Sequence, residues 1–81
     1  MGIEYKIQFK MPVDYNPDGL FQKLPSPINK QTMTEIYNYQ VEAYGFYFVD
    51  YLVDVSVASL AFRRFIDEAL IYSDSIEITE L

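Results

Sequence analysis

The sequence predicts an α+β domain, an antiparallel sheet with helices on one of its faces. Three observations carry that reading. Residues 3–11 alternate strictly between apolar and polar side chains. Two more alternating runs flank a turn at Ala43-Tyr44-Gly45. Residues 58–70 carry apolar side chains at helical spacing.

Ile3, Tyr5, Ile7, Phe9 and Met11 alternate with Glu4, Lys6, Gln8 and Lys10, the period-two pattern of a half-buried strand. Pro12 ends it. Asn16 can cap a short helix with Pro17 in its first turn, running to Leu24. Pro25 and Pro27 close that helix, and residues 25–34 read as loop. A second strand spans Glu35 to Ala43. Tyr37, Tyr39, Val41 and Ala43 lie on one face, and Asn38, Gln40 and Glu42 on the other. A third strand spans Phe46 to Val53. Both of its faces are largely apolar, which suits a central strand.

Asp54 or Ser56 can cap the next helix. Ala58, Ala61, Phe62, Phe65, Ile66, Ala69 and Leu70 form one amphipathic stripe. Arg63/Asp67 and Arg64/Glu68 fall as i,i+4 pairs on its wet side, each contributing about 0.2–0.5 kcal/mol at most. Ile76-Glu77-Ile78-Thr79 reads as a short edge strand. The order is therefore β-α-β-β-α-β with a short first helix, the ferredoxin-like pattern, in one domain over residues 1–81.

Composition removes several chemistries. The chain has 81 residues and no His and no Cys. Disulfides, thiolate ligands and imidazole acid–base catalysis are therefore excluded, and a structural zinc site lacks both of its usual ligand types. No metal site and no cofactor are expected. A chain this short buries only about 60–65% of its unfolded surface, so a partner chain is the expected source of extra core. No run approaches ~18 apolar residues, so no membrane span is expected. The opening alternates, unlike a signal peptide, and Lys6 stands where a myristoylation motif needs Ser or Thr. A cytoplasmic protein is the expectation.

The net charge is −6, from 6 basic and 12 acidic residues, which argues against nucleic acid. Residues 1–40 are balanced. The whole excess falls in residues 41–81, on Glu42, Asp50, Asp54, Asp67, Glu68, Asp74, Glu77 and Glu80 against Arg63 and Arg64.

Asp14 to Gly19 matches the opening of a calcium loop, but Pro25 stands where the bidentate Glu belongs, so a turn is expected there. Strand parity marks a more informative set. Lys6, Gln8, Asn38 and Gln40 fall on the face away from the helices. Assigning the third strand the same parity adds Phe46, Phe48, Asp50 and Leu52. Polar groups around apolar anchors describe a wet protein interface or a ligand pocket. Lys6 and Asp50 could pair there, with Asp50 as a base. Glu42, Asp50 and Asp54 would share that face. Tyr5, Tyr37, Tyr39, Tyr47 and Tyr51 would share the core face, with their hydroxyls at its rim.

The chain resembles the dimeric α+β-barrel superfamily, which includes muconolactone-isomerase-like proteins. The resemblance lies in Lys10-Met11-Pro12-Val13-Asp14-Tyr15-Asn16-Pro17, in Gly45 and the strand after it, in Leu52 to Leu60, and in Ser75 to Thr79. It implies a homodimer with facing sheets and helices outside. The short first helix and the absence of His depart from the family's enzymes.

Three functions are expected as alternatives. The first is a homodimeric binding or regulatory protein with a small-molecule pocket at the dimer interface. The second is a cofactor-independent isomerase or lyase using Lys6, Asp50 and a tyrosine. The third is an acidic module that binds a basic protein partner.

Overall fold

A computed structural model describes residues 2–81. Strand β1 spans Ile3–Gln8 and α1 is a single turn, Asp18–Phe21. Strands β2 (Ile28–Asn29) and β3 (Thr34–Glu35) form a small hairpin. Strands β4 (Tyr37–Glu42) and β5 (Gly45–Asp50) follow, then helix α2 (Val55–Tyr72) and strand β6 (Glu77–Glu80). The fold is α+β: a four-stranded antiparallel sheet in the order β4-β5-β1-β6, a two-stranded sheet, and one long helix.

Sequence and structure differ at four elements, one being the strand expected to reach Val53, which ends at Asp50 before the positive φ of Leu52. The alternation through Met11 outlasts its strand, which ends at Gln8. Phe9 still donates its N–H to the Tyr44 carbonyl at 3.1 Å, so the extended pairing fades rather than stops. The first helix ends at Phe21, before Leu24. Asn16 is not its cap: Pro17 holds the N-cap position without a side-chain bond, and Asn16 lies one residue earlier, its Oδ1 accepting from the Asp18 N–H at 2.9 Å in a turn that leads into the helix. The stretch read as loop holds the β2–β3 hairpin, whose strands are too short to show a period.

Helix α2 starts where Asp54 accepts from the N–H groups of Ser56 and Val57, at 3.1 and 3.2 Å. Its buried side is Ala58, Ala61, Phe65, Glu68 and Ala69; of the predicted stripe, Phe62 and Ile66 are half-buried and Leu70 is exposed. Phe65 packs against Phe46, Phe48 and Tyr39, with ring centroids 5.0, 5.6 and 5.1 Å away. Phe62 meets Tyr5 at 4.8 Å and Phe48 at 5.2 Å. The helix thus lies across β1, β5 and β4. Leu20 of α1 is buried and Phe21 packs on Tyr39 at 5.4 Å, covering the β4 flank. Tyr37 is buried as well, and its hydroxyl donates to the Pro25 carbonyl at 2.5 Å.

Glu68 is the charged residue buried among these apolar groups, 7% exposed. It accepts a hydrogen bond from the Tyr15 hydroxyl at 2.7 Å. Tyr15 reaches it from the loop after β1 and packs on Phe9, Phe46 and Tyr72. Burial, then the Glu68 carboxylate, hold the Tyr15 phenol well above its ordinary pKa. No helix among the described residues is long and apolar enough to cross a membrane.

Candidate functional site

Register decides what each face of the sheet carries. Glu42 pairs with Gly45 across the two-residue turn Ala43-Tyr44, and Gln8 also pairs with Gly45. Odd residues of β1 and β4 therefore stand opposite even residues of β5. Tyr5 faces Phe48 and Tyr39, and Ile7 faces Phe46 and Val41. The sequence reading gave β5 the opposite parity.

Phe46 and Phe48 are consequently core residues, 0% and 1% exposed beneath α2. They do not lie on the uncovered face where parity had been read to place them. The reason is the turn. A two-residue loop pairs an even residue with an odd one, so the inward set changes parity across the hairpin. Asp50 also points to the helix side, opposite Ile3 and Tyr37. Leu52 lies past the strand in a loop, 60% exposed with φ +64°. Lys6 and Asp50 are therefore on opposite faces and do not pair. Glu42, Asp50 and Asp54 do not share a face either, since Asp54 caps α2. Among the described residues no cluster of three metal-ligating side chains forms.

Lys6, Gln8, Asn38 and Gln40 do lie on the uncovered face. Three cross-strand rows build it. Asn38, Val49 and Glu4 form the first, Gln40, Tyr47, Lys6 and Thr79 the second, and Glu42, Gly45, Gln8 and Glu77 the third. Tyr51 extends the face beyond β5, its N–H bonded to the Ile36 carbonyl at 3.1 Å. Tyr44 leans back from the turn, placing its ring 4.7 Å from the Lys6 ammonium.

The two ends of this face differ in charge. At the turn end, Lys6 sits with Tyr44, Gln8, Glu42 and Glu77. At the far end the Tyr47 hydroxyl donates to Glu4 Oε1 at 2.5 Å. That bond is the main reason the Tyr47 phenol is pushed up to about 12. The Tyr51 phenol is raised too, first by burial and then by the charge of Glu35. Arg63–Asp67 is the only ion pair among the described residues, so Glu4 and Glu35 make no salt-bridge contact with a described cation. The far end is thus a patch of Tyr47, Tyr51 and Asn38 over the buried Val49, with two carboxylates that form no ion pair among the described residues, and its phenols stay neutral at physiological pH.

Tyr47 and Tyr51 are the site residues that sequence reasoning missed, having placed them in the core. The signal that could have found them was the length of the turn. Comparison of the chain with family models, with curated proteins and with solved structures found no match to any of the three.

Proposed function

We propose that this is a non-catalytic acidic binding protein whose uncovered sheet face docks a basic protein partner. The observation that carries the reading is the Glu4–Tyr47 and Glu35–Tyr51 patch. A lysine or arginine laid on it meets neutral aromatic rings and two carboxylates together. The Lys6–Tyr44 contact is an example of the same packing within the chain. Aromatic residues beside polar groups are typical of protein interfaces. The net charge of −6 adds long-range attraction for a basic partner.

Charge also weighs against a second copy as the occupant. Face to face, one Lys6 per chain would meet Glu4, Glu35, Glu42 and Glu77, leaving carboxylates opposed to carboxylates. The expected homodimer drew on Phe46 and Phe48 as surface anchors, and these two rings are already used in the core. We read the fold itself as ferredoxin-like in its βαββαβ order. The sheet order β4-β5-β1-β6 with antiparallel neighbours supports this, α1 and the β2–β3 hairpin forming a reduced first crossover.

The test is titration with an arginine- and lysine-rich peptide, followed by NMR and by tyrosine fluorescence. Shifts should centre on Tyr47, Val49 and Tyr51. Binding should weaken steeply with added salt. Glu4→Gln and Tyr47→Ala should each weaken it about tenfold, equivalent to ~1.4 kcal/mol. No binding at low salt would sink the reading. So would sedimentation of a stable dimer that Tyr47→Ala dissociates.

A further inference from the structure

On the helix side, a groove of about 260 Å³ opens between the first half of α2 and one corner of the sheet. Tyr5, Phe48, Phe62 and Ile66 form its apolar walls, and Asp50, Ser59 and Arg63 are its polar groups. It exists because α2 presents the small Ala58 and Ser59 there, where larger side chains would fill the space. The site lies on the other side of the sheet from Tyr47 and Tyr51 and does not depend on the docking reading.

The polar groups are oppositely charged and each keeps free bonding capacity. Asp50 Oδ1 accepts the Leu52 N–H at 2.8 Å, which leaves its other oxygen. Arg63 gives its Nε–H to Asp67 at 2.8 Å, which leaves the terminal nitrogens of its fork. A simple cation attracted by Asp50 would be repelled by Arg63. A simple anion would meet the reverse. A ligand carrying one charge of each sign satisfies both. The aromatic walls require that it also carry an apolar body. The volume lies just below the ~300 Å³ at which pockets for drug-sized ligands begin, so the ligand is smaller than those.

We infer that this groove binds a free α-amino acid with a large apolar side chain. The ammonium sits on Asp50, the carboxylate on Arg63 and the Ser59 hydroxyl, and the side chain lies among Tyr5, Phe48 and Phe62. Two of these groups, Asp50 and Arg63, come from different elements, β5 and α2, so the ligand would also tie the helix to the sheet.

The experiment is NMR titration of the full chain with L-phenylalanine and L-leucine, against phenethylamine and 3-phenylpropionate. The amino acids should shift the amides of Asp50, Ser59, Phe62 and Arg63, and bind at least about tenfold tighter than either singly charged analogue. Asp50→Asn and Arg63→Gln should each weaken binding about tenfold. Ser59→Leu, at an exposed helix position, should fill the groove and abolish binding with the fold intact by circular dichroism. Equal affinity for a singly charged analogue overturns the inference. So does the absence of shifts at the groove, or binding that survives Ser59→Leu.

Discussion

Tyr15 and Glu68 form a polar contact that an apolar core must hold together or do without. The carboxylate is buried, and the Tyr15 hydroxyl bonds it at 2.7 Å. Tyr15→Phe keeps the ring packing and removes the donor. Its expected cost is about 1.5–3 kcal/mol, the range for hydrogen bonds to charged groups. Replacing both partners leaves no polar group unpaired, so Tyr15→Phe with Glu68→Leu should recover most of that loss. Urea unfolding of the single and double variants measures both. A double variant less stable than Tyr15→Phe alone would contradict the account. In the sequence Glu68 fell within an i,i+4 pair with Arg64 on the wet side. It is buried instead, because α2 turns that position toward the loop carrying Tyr15.

At the scale of elements, the β4–β5 hairpin decides more than any other segment. Its turn sets the parity of β5, and its Gly45 lets two strands approach. A Cβ at Gly45 would stand 2.1 Å from the Ile7 carbonyl oxygen, at φ +143°. Gly45→Ala should therefore destabilise the protein by about 3 kcal/mol or more, through clash and strain together. Gly19→Ala is the contrasting case. Nothing lies within 4 Å of its added Cβ, and it sits in α1, so it should gain about 0.5–1 kcal/mol. Thermal unfolding compares them, and equal effects would refute the geometry. The strands and α2 were readable because each has a period. The faces were misread at β5 because parity carries across a hairpin only when the turn length is known. The β2–β3 hairpin was missed because two residues show no period.

For the whole molecule, width governs what is covered. Four strands at ~4.8 Å spacing span more than one helix of about 10 Å can shield. Segment α1 covers the β4 flank, and one corner of the helix side is left open as the groove; the tyrosine face is the opposite side of the sheet, which neither α1 nor α2 covers. The aromatic interior also sets a limit at high pH. Burial, and then Tyr39, push the Tyr37 phenol up to about 12, and Tyr15 is raised as well. A phenol ionises more easily in the unfolded chain, so this contribution is complete below about pH 10 and is lost as pH rises from there through about 12. For Tyr37 the loss is on the order of 2–3 kcal/mol. Unfolding free energies on either side of that window should show it, with a smaller fall in Tyr37→Phe. An equal fall in both proteins would assign the loss elsewhere.

By itself the sequence determined the α+β class, the strands of the main sheet and the amphipathic helix, with Asp54 or Ser56 as its cap. It also determined that imidazole and thiolate chemistry are absent. Those follow from composition, local periodicity and local hydrogen bonding. Only the tertiary structure decided which side of β5 faces inward, and with it whether phenylalanines or tyrosines lie on the uncovered face. Facing is a property of register, and register is set by the turn and by the neighbouring strand. The 81 residues without His, Cys or Trp first suggested a core in need of a second chain. The fold places the two β5 phenylalanines inside the single chain, and leaves Glu4 and Glu35, from the charge-balanced half, beside the half-buried tyrosines of the other face.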